Sequence, residues 1–132
     1  MTFTESLFNF PLSGLVYDLA AWPFVFKARE YVKESLQGSV HPGASILEIG
    51  VGTGMVSTYL AETLGLNVDG IDSSIKMLEI ATNRAKHLKG GSLTLYQGKA
   101  TELPVGGPYE AVVMSYLLRH LQPEDTPRVF KE

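Results

Sequence analysis

The sequence predicts a single α/β domain built on an open, doubly wound, mostly parallel sheet. Three observations predict it. Apolar runs without alternation occur at 44–50 and 109–116, as in strands covered on both faces. Segments of helical period lie at 54–64 and 73–89. Glycines or capping serines stand at the junctions between them. With 132 residues the chain suffices for one domain with a real core and is short for two ordinary ones. No internal repeat, low-complexity tract or linker divides it.

Residues 1–22 are aromatic-rich and irregular. Pro23 suits the first position of a helix that would reach about Leu36, with Gly38 just beyond. Residues 1–42 thus read as an N-terminal helical cover and 43–132 as the α/β core. His41-Pro42-Gly43 is a turn. "ASILEIG" (44–50) is a buried strand. Over 54–64, Val56, Leu60 and Leu64 fall on one helical face, and Gly65 is placed to end the helix. "NVDGI" (67–71) is a short strand. Ser73 or Ser74 can cap the next helix, whose expected buried face is Ile75, Leu78, Ala81, Ala85 and Leu88. Lys86 and Lys89 suit its negative end, and Gly90-Gly91 stops it. "SLTLYQ" (92–97) alternates as a strand does, "LPVGGP" is a loop, and 110–115 is a fourth strand.

Composition excludes several functions. A formal charge of −3 disfavours coating a nucleic acid, which needs a basic face. With no cysteine there is no disulfide, thiolate metal site or cysteine nucleophile. The first ten residues contain an acid and no basic run, so they make a poor signal peptide, and a cytoplasmic location is expected. The longest apolar stretch, Leu7 to Phe26, is broken by Asn9, Pro11, Asp18 and Pro23, which argues against a spanning helix.

The stretch "ILEIGVGTG" (46–54) carries the functional signal. Gly50, Gly52 and Gly54 follow a buried strand and open a helix. Such a turn aims backbone N–H groups at one point, at the strand ends where open parallel sheets bind ligands. Asp72 ends the second strand, 18 residues after Gly54, near the offset of ~20 at which an acid meets a ribose diol. Together they describe a nucleoside-containing cofactor. The dinucleotide pattern G-x-G-x-x-G would need a glycine at Met55, so a nicotinamide-dependent oxidoreductase is disfavoured. Glu48 suits a cationic amino group better than a pyrophosphate, and S-adenosylmethionine has an ammonium, a sulfonium, a diol and no phosphate.

With "VDGIDSSIKMLEIATNRA" and "YQGKATELPVGGPYEAVVMSYLLRHL", this pattern resembles the class I S-adenosylmethionine-dependent methyltransferases, closest to small-molecule enzymes of the quinone and sterol type. The resemblance covers about 44–121. It implies a Rossmann-like sheet in the order 3-2-1-4 and methyl transfer to a small-molecule acceptor. It also implies roles: Glu48 at the methionine amino group, directly or through water, Gly50, Gly52 and Gly54 lining the methionine moiety, and Asp72 on the ribose hydroxyls. Ser73 and Met77 would border the ribose and adenine, and Tyr17 and Ser115 complete the implied cofactor set. Where the family usually carries an acid in a "GDA" context, this chain has Gly98-Lys99-Ala100. Lysine cannot accept the adenine amino proton, so the backbone at Lys99 and Ala100, or Thr101, would read that edge.

Plain structural readings stand beside these. The glycines alone could serve close packing. Met77 and Tyr17 could be core residues, and Tyr116 and His120, just past the fourth strand, have structural roles open to them as well as substrate contacts. His41 reads as a turn residue. The apolar N-terminal stretch is a lid or core helix, with a membrane-surface role or a greasy substrate pocket as the alternative. No general base or metal ligand is identifiable. A non-catalytic cofactor-binding module is the second functional hypothesis, and with about four strands where the family is expected to have more, the chain reads as a truncated form or half of a split enzyme. The strand at 110–115 would be an edge guarded only by Glu110, and such an edge invites pairing with another copy or a partner chain.

Overall fold

The computed structural model describes residues 26–114. Helix α1 occupies 26–36, in agreement with the expected helix end near Leu36. Then follow β1 (Ser45–Ile49), α2 (Met55–Leu64), β2 (Asn67–Asp72), α3 (Ile75–Ala85), β3 (Ser92–Gln97) and β4 (Ala111–Val113). The sheet is four-stranded in the order β3-β2-β1-β4, and every pairing is parallel, as the resemblance implied. Register is exact along its centre: Ile46 pairs with both Val68 and Ala111, and Glu48 with both Gly70 and Val113.

Strand alternation divides the core in two. One face sends Ile46, Val68 and Val113 against Met55, Val56, Leu60 and Ala61 of α2, with Val32 and Leu36 of α1 packed beside them. Leu60 and Ile46 are fully buried, each contributing about 1.5–3 kcal/mol of apolar transfer. The other face sends Leu47, Ile49 and Ile71 against Ala100, Leu103, Val105 and Tyr109, all from the segment between β3 and β4. Tyr109 is tied across the sheet by donating its hydroxyl proton to Asp69 at 2.7 Å. Burial, then that bond, pushes its hydroxyl up to about 12, so the pair stays intact through neutral pH.

Two expectations about α3 are corrected. Its buried face is Met77 and Ala81, whereas Ile75 is 56% exposed. Ile75 stands in the first turn at the sheet's carboxyl rim, where nothing described covers it. The helix also stops at Ala85, short of Leu88. His87 and Leu88 N–H groups bond back three residues, to Arg84 and Ala85, which tightens the last turn and ends it. At the other end the cap is Ser74, whose Oγ accepts the Met77 N–H at 3.3 Å.

The described β4 is shorter than the expected 110–115 and pairs, among the described residues, with β1. Glu110 is engaged rather than loose. Its backbone N–H bonds Ser45 O, and its carboxylate lies 2.9 Å from Nε2 of His41. Nδ1 of His41 faces the Pro42 carbonyl, so both ring nitrogens meet acceptors, which favours the imidazolium and raises the His41 pKa. His41 is thus the turn residue expected, with a pairing the sequence did not reveal.

Candidate functional site

The candidate site lies at the carboxyl ends of β1, β2 and β3. After Ile49 the chain bends over the end of β2: Gly50 and Val51 both donate N–H to the Ile71 carbonyl, at 2.8 and 3.0 Å. Asp72 sits beside this bend with both oxygens in use. Oδ2 accepts the Gly52 N–H and Oδ1 the Ser74 N–H, each at 2.9 Å. One carboxylate therefore holds the glycine loop and the start of α3 together, while each oxygen keeps a second lone-pair direction for a further donor.

The glycines are not equivalent. Gly52 has φ +57°, and a Cβ built there meets nothing within 4 Å, so its missing side chain leaves open space. Gly54 has φ +82°, but a Cβ there would sit 3.2 Å from the Ala81 Cβ. Gly52 thus leaves its side of the loop open, whereas Gly54 answers to α3. Gly54 also caps α2 without a side-chain hydrogen bond, and the first turn holds no acid. The amides at that positive end face no competing anion of their own turn.

Glu48, expected at the methionine amino group directly or through water, is enclosed by the fold. Its side chain is 1% exposed and accepts the hydroxyl proton of Ser57, itself fully buried in the first turn of α2. Ser57→Ala is expected to remove this buried donor and lower stability by about 1–3 kcal/mol. Urea denaturation measures it, and an unchanged midpoint would assign the pair no role.

At the end of β3, Gly98 donates N–H to the Asp72 carbonyl at 3.1 Å. Lys99 to Glu102 form a tight turn closed by Glu102 N–H on Lys99 O at 3.0 Å. Within it Lys99 is exposed, Thr101 half-buried and Ala100 buried. The exposed Ser73 is joined to this edge, its carbonyl accepting from Gln97 Nε2 at 3.4 Å. Asp72, Ser73 and 98–101 are thus brought together as expected. Met77 is 2% exposed, with the surroundings of a core side chain. Tyr17, Ser115, Tyr116 and His120 lie outside the described residues.

Ser57 and Arg84 were not foreseen. Arg84, on α3, donates Nε–H to the Thr53 carbonyl at 2.9 Å, inside the glycine loop. Nothing in the local sequence marks either residue, because their partners lie 9 and 31 positions away.

A profile of the methyltransferase domain matches residues 46–132. This chain belongs to that family. Demethylmenaquinone methyltransferase of Tropheryma whipplei (strain Twist) is 36% identical over 83 residues, covering 62% of this chain and 33% of its own length. The enzyme of the same name from Lactococcus lactis is 37% identical over 81 residues, covering 59% and 32%. The chain spans about a third of the length of these curated relatives. Among solved structures, magnesium protoporphyrin IX methyltransferase of Synechocystis PCC 6803 with bound SAH superposes with a TM-score of 0.68 at 27% identity, over 79% of this chain and 48% of that one. The methyltransferase-domain match begins at Ile46 and so takes in the whole glycine loop, Asp72 and the 98–101 turn.

Proposed function

We propose that this methyltransferase domain binds S-adenosylmethionine at the ends of β1, β2 and β3, and that the protein transfers its methyl group to a small-molecule acceptor. The observation that carries the reading is the Asp72 carboxylate fastened to Gly52, beside the open space where a Cβ is missing. Those features fit the cofactor. A diol can donate to the lone pairs that Asp72 retains. The unencumbered backbone at Gly52 allows close approach, and the uncapped start of α2 suits the methionine carboxylate. The 98–101 turn, fixed to Asp72 through Gly98, borders the base. The SAH-bound Synechocystis structure supports the same assignment.

The cofactor supplies an electrophilic methyl on a sulfonium. The protein's part is to hold it, align an acceptor in line and exclude water. The names of the Tropheryma and Lactococcus relatives favour an apolar, quinone-class acceptor. The reading extends to a cytoplasmic location and to association along β4, where Val112 is 52% exposed. Among the described residues no helix is long and apolar enough to cross a membrane.

The test is a thermal-shift and calorimetry panel of S-adenosylmethionine, S-adenosylhomocysteine and NAD. Either of the first two, at a hundredfold excess over its Kd, is expected to add about 2.7 kcal/mol of stability. Tight NAD binding with no response to the other two would reject the proposal.

A further inference from the structure

The glycine loop contains a hydrogen-bonded relay between two side chains of opposite charge. It starts at Asp72, whose Oδ2 accepts the Gly52 N–H at 2.9 Å. That N–H shares a peptide group with the Val51 carbonyl, which accepts the Gly54 N–H at 3.1 Å. The Gly54 N–H shares a peptide group with the Thr53 carbonyl, which accepts Nε–H of Arg84 at 2.9 Å. Both peptide groups therefore turn their N–H ends toward the carboxylate and their C=O ends toward the guanidinium. Dipoles aligned between an anion and a cation are favoured at both ends, and bonds in series polarise one another. Thr53 is 5% exposed, so water competes little for its carbonyl. Helix α3 presents both contacts from one face, since Ala81, three residues before Arg84, is the residue that crowds Gly54.

We propose that Arg84 is a positioning residue for Asp72. Through two peptide groups it fixes the planes of the glycine loop, and so the direction in which Asp72 offers its remaining lone pairs to a ligand diol. Arg84 itself touches no ligand. Its Nε lies one atom nearer the backbone than a lysine ammonium, so Lys cannot place a donor at the same point. The inference rests on the cofactor site proposed above.

The experiment is a double-mutant cycle on S-adenosylhomocysteine affinity, using Arg84→Met, Asp72→Asn and the double variant. Chemical denaturation and Gly52 amide exchange without ligand are measured on the same proteins. Arg84→Met is expected to weaken binding about 10-fold and to speed Gly52 exchange. The double variant should lose far less than the product of the single losses, because each change cuts one relay. Arg84→Lys should show the same effects, and it takes the place of Arg84→Met if that variant does not fold. A lowered unfolding midpoint with unchanged affinity, or losses that multiply, overturns the proposal. If the unaltered protein binds no S-adenosylhomocysteine, the cofactor reading fails instead. The relay then stands or falls on Gly52 exchange, and unchanged exchange in Arg84→Met overturns it.

Discussion

Asp72→Ala is expected to abolish measurable cofactor binding, with a loss of at least about 100-fold. Hydrogen bonds to a charged group are each worth about 1.5–3 kcal/mol, and a diol makes two of them. From the sequence alone the loss would stop there, with the fold untouched. The structure enlarges it, because the same carboxylate holds the Gly52 and Ser74 N–H groups. Without them the glycine loop and the first turn of α3 lose their common anchor. A stability loss of about 1–3 kcal/mol should accompany the binding loss. Asp72→Asn keeps one oxygen acceptor and should fall between. Calorimetry with S-adenosylhomocysteine and a urea titration of each variant read the two effects separately. Unchanged affinity in Asp72→Ala would remove Asp72 from the site.

Valine at Gly52 and at Gly54 should produce opposite profiles. Both positions lie in the left-handed region, so each substitution carries a backbone cost of about 1–2 kcal/mol. At Gly52 the new side chain enters open space, so folding bears only that cost while binding is blocked. At Gly54 the Cβ would press on Ala81 at 3.2 Å, adding about 1–3 kcal/mol of overpacking against the core-facing side of α3. Against a total stability of about 5–15 kcal/mol, Gly54→Val is the folding lesion and Gly52→Val the binding lesion. Normal cofactor affinity in Gly52→Val would make that glycine a dihedral requirement alone. An unshifted unfolding midpoint in Gly54→Val would refute the packing role.

The strands and the α2 stripe were legible because each is a local pattern: apolar runs, a 3.6-residue period and a glycine stop within a few positions. The α3 face was misread for a related reason. Ile75, Leu78 and Ala81 share a helical stripe with one another, yet the side of a helix that is buried depends on its angle to the sheet. Met77 and Ala81 face it, and Ile75 overhangs the rim. Asp72 and the glycines could be picked out at 18–22 residues' separation because a strand–turn–helix unit converts that spacing into adjacency.

By itself the sequence determined the parallel α/β architecture and marked Gly50–Gly54 and Asp72 as the candidate site, and its motifs carried the resemblance to the family. The architecture and the glycine turn follow from hydrophobic period and backbone freedom, which neighbouring residues dictate. Only the tertiary structure decided what individual groups do there. It closed Glu48 under α2 against Ser57, assigned Gly54 to Ala81 and Gly52 to open space, and set Arg84 on the Thr53 carbonyl. Each of these is a contact between segments whose distance is fixed by how helices pack on the sheet. A carboxylate, a glycine or an arginine carries no mark in the chain of which partner that packing will bring.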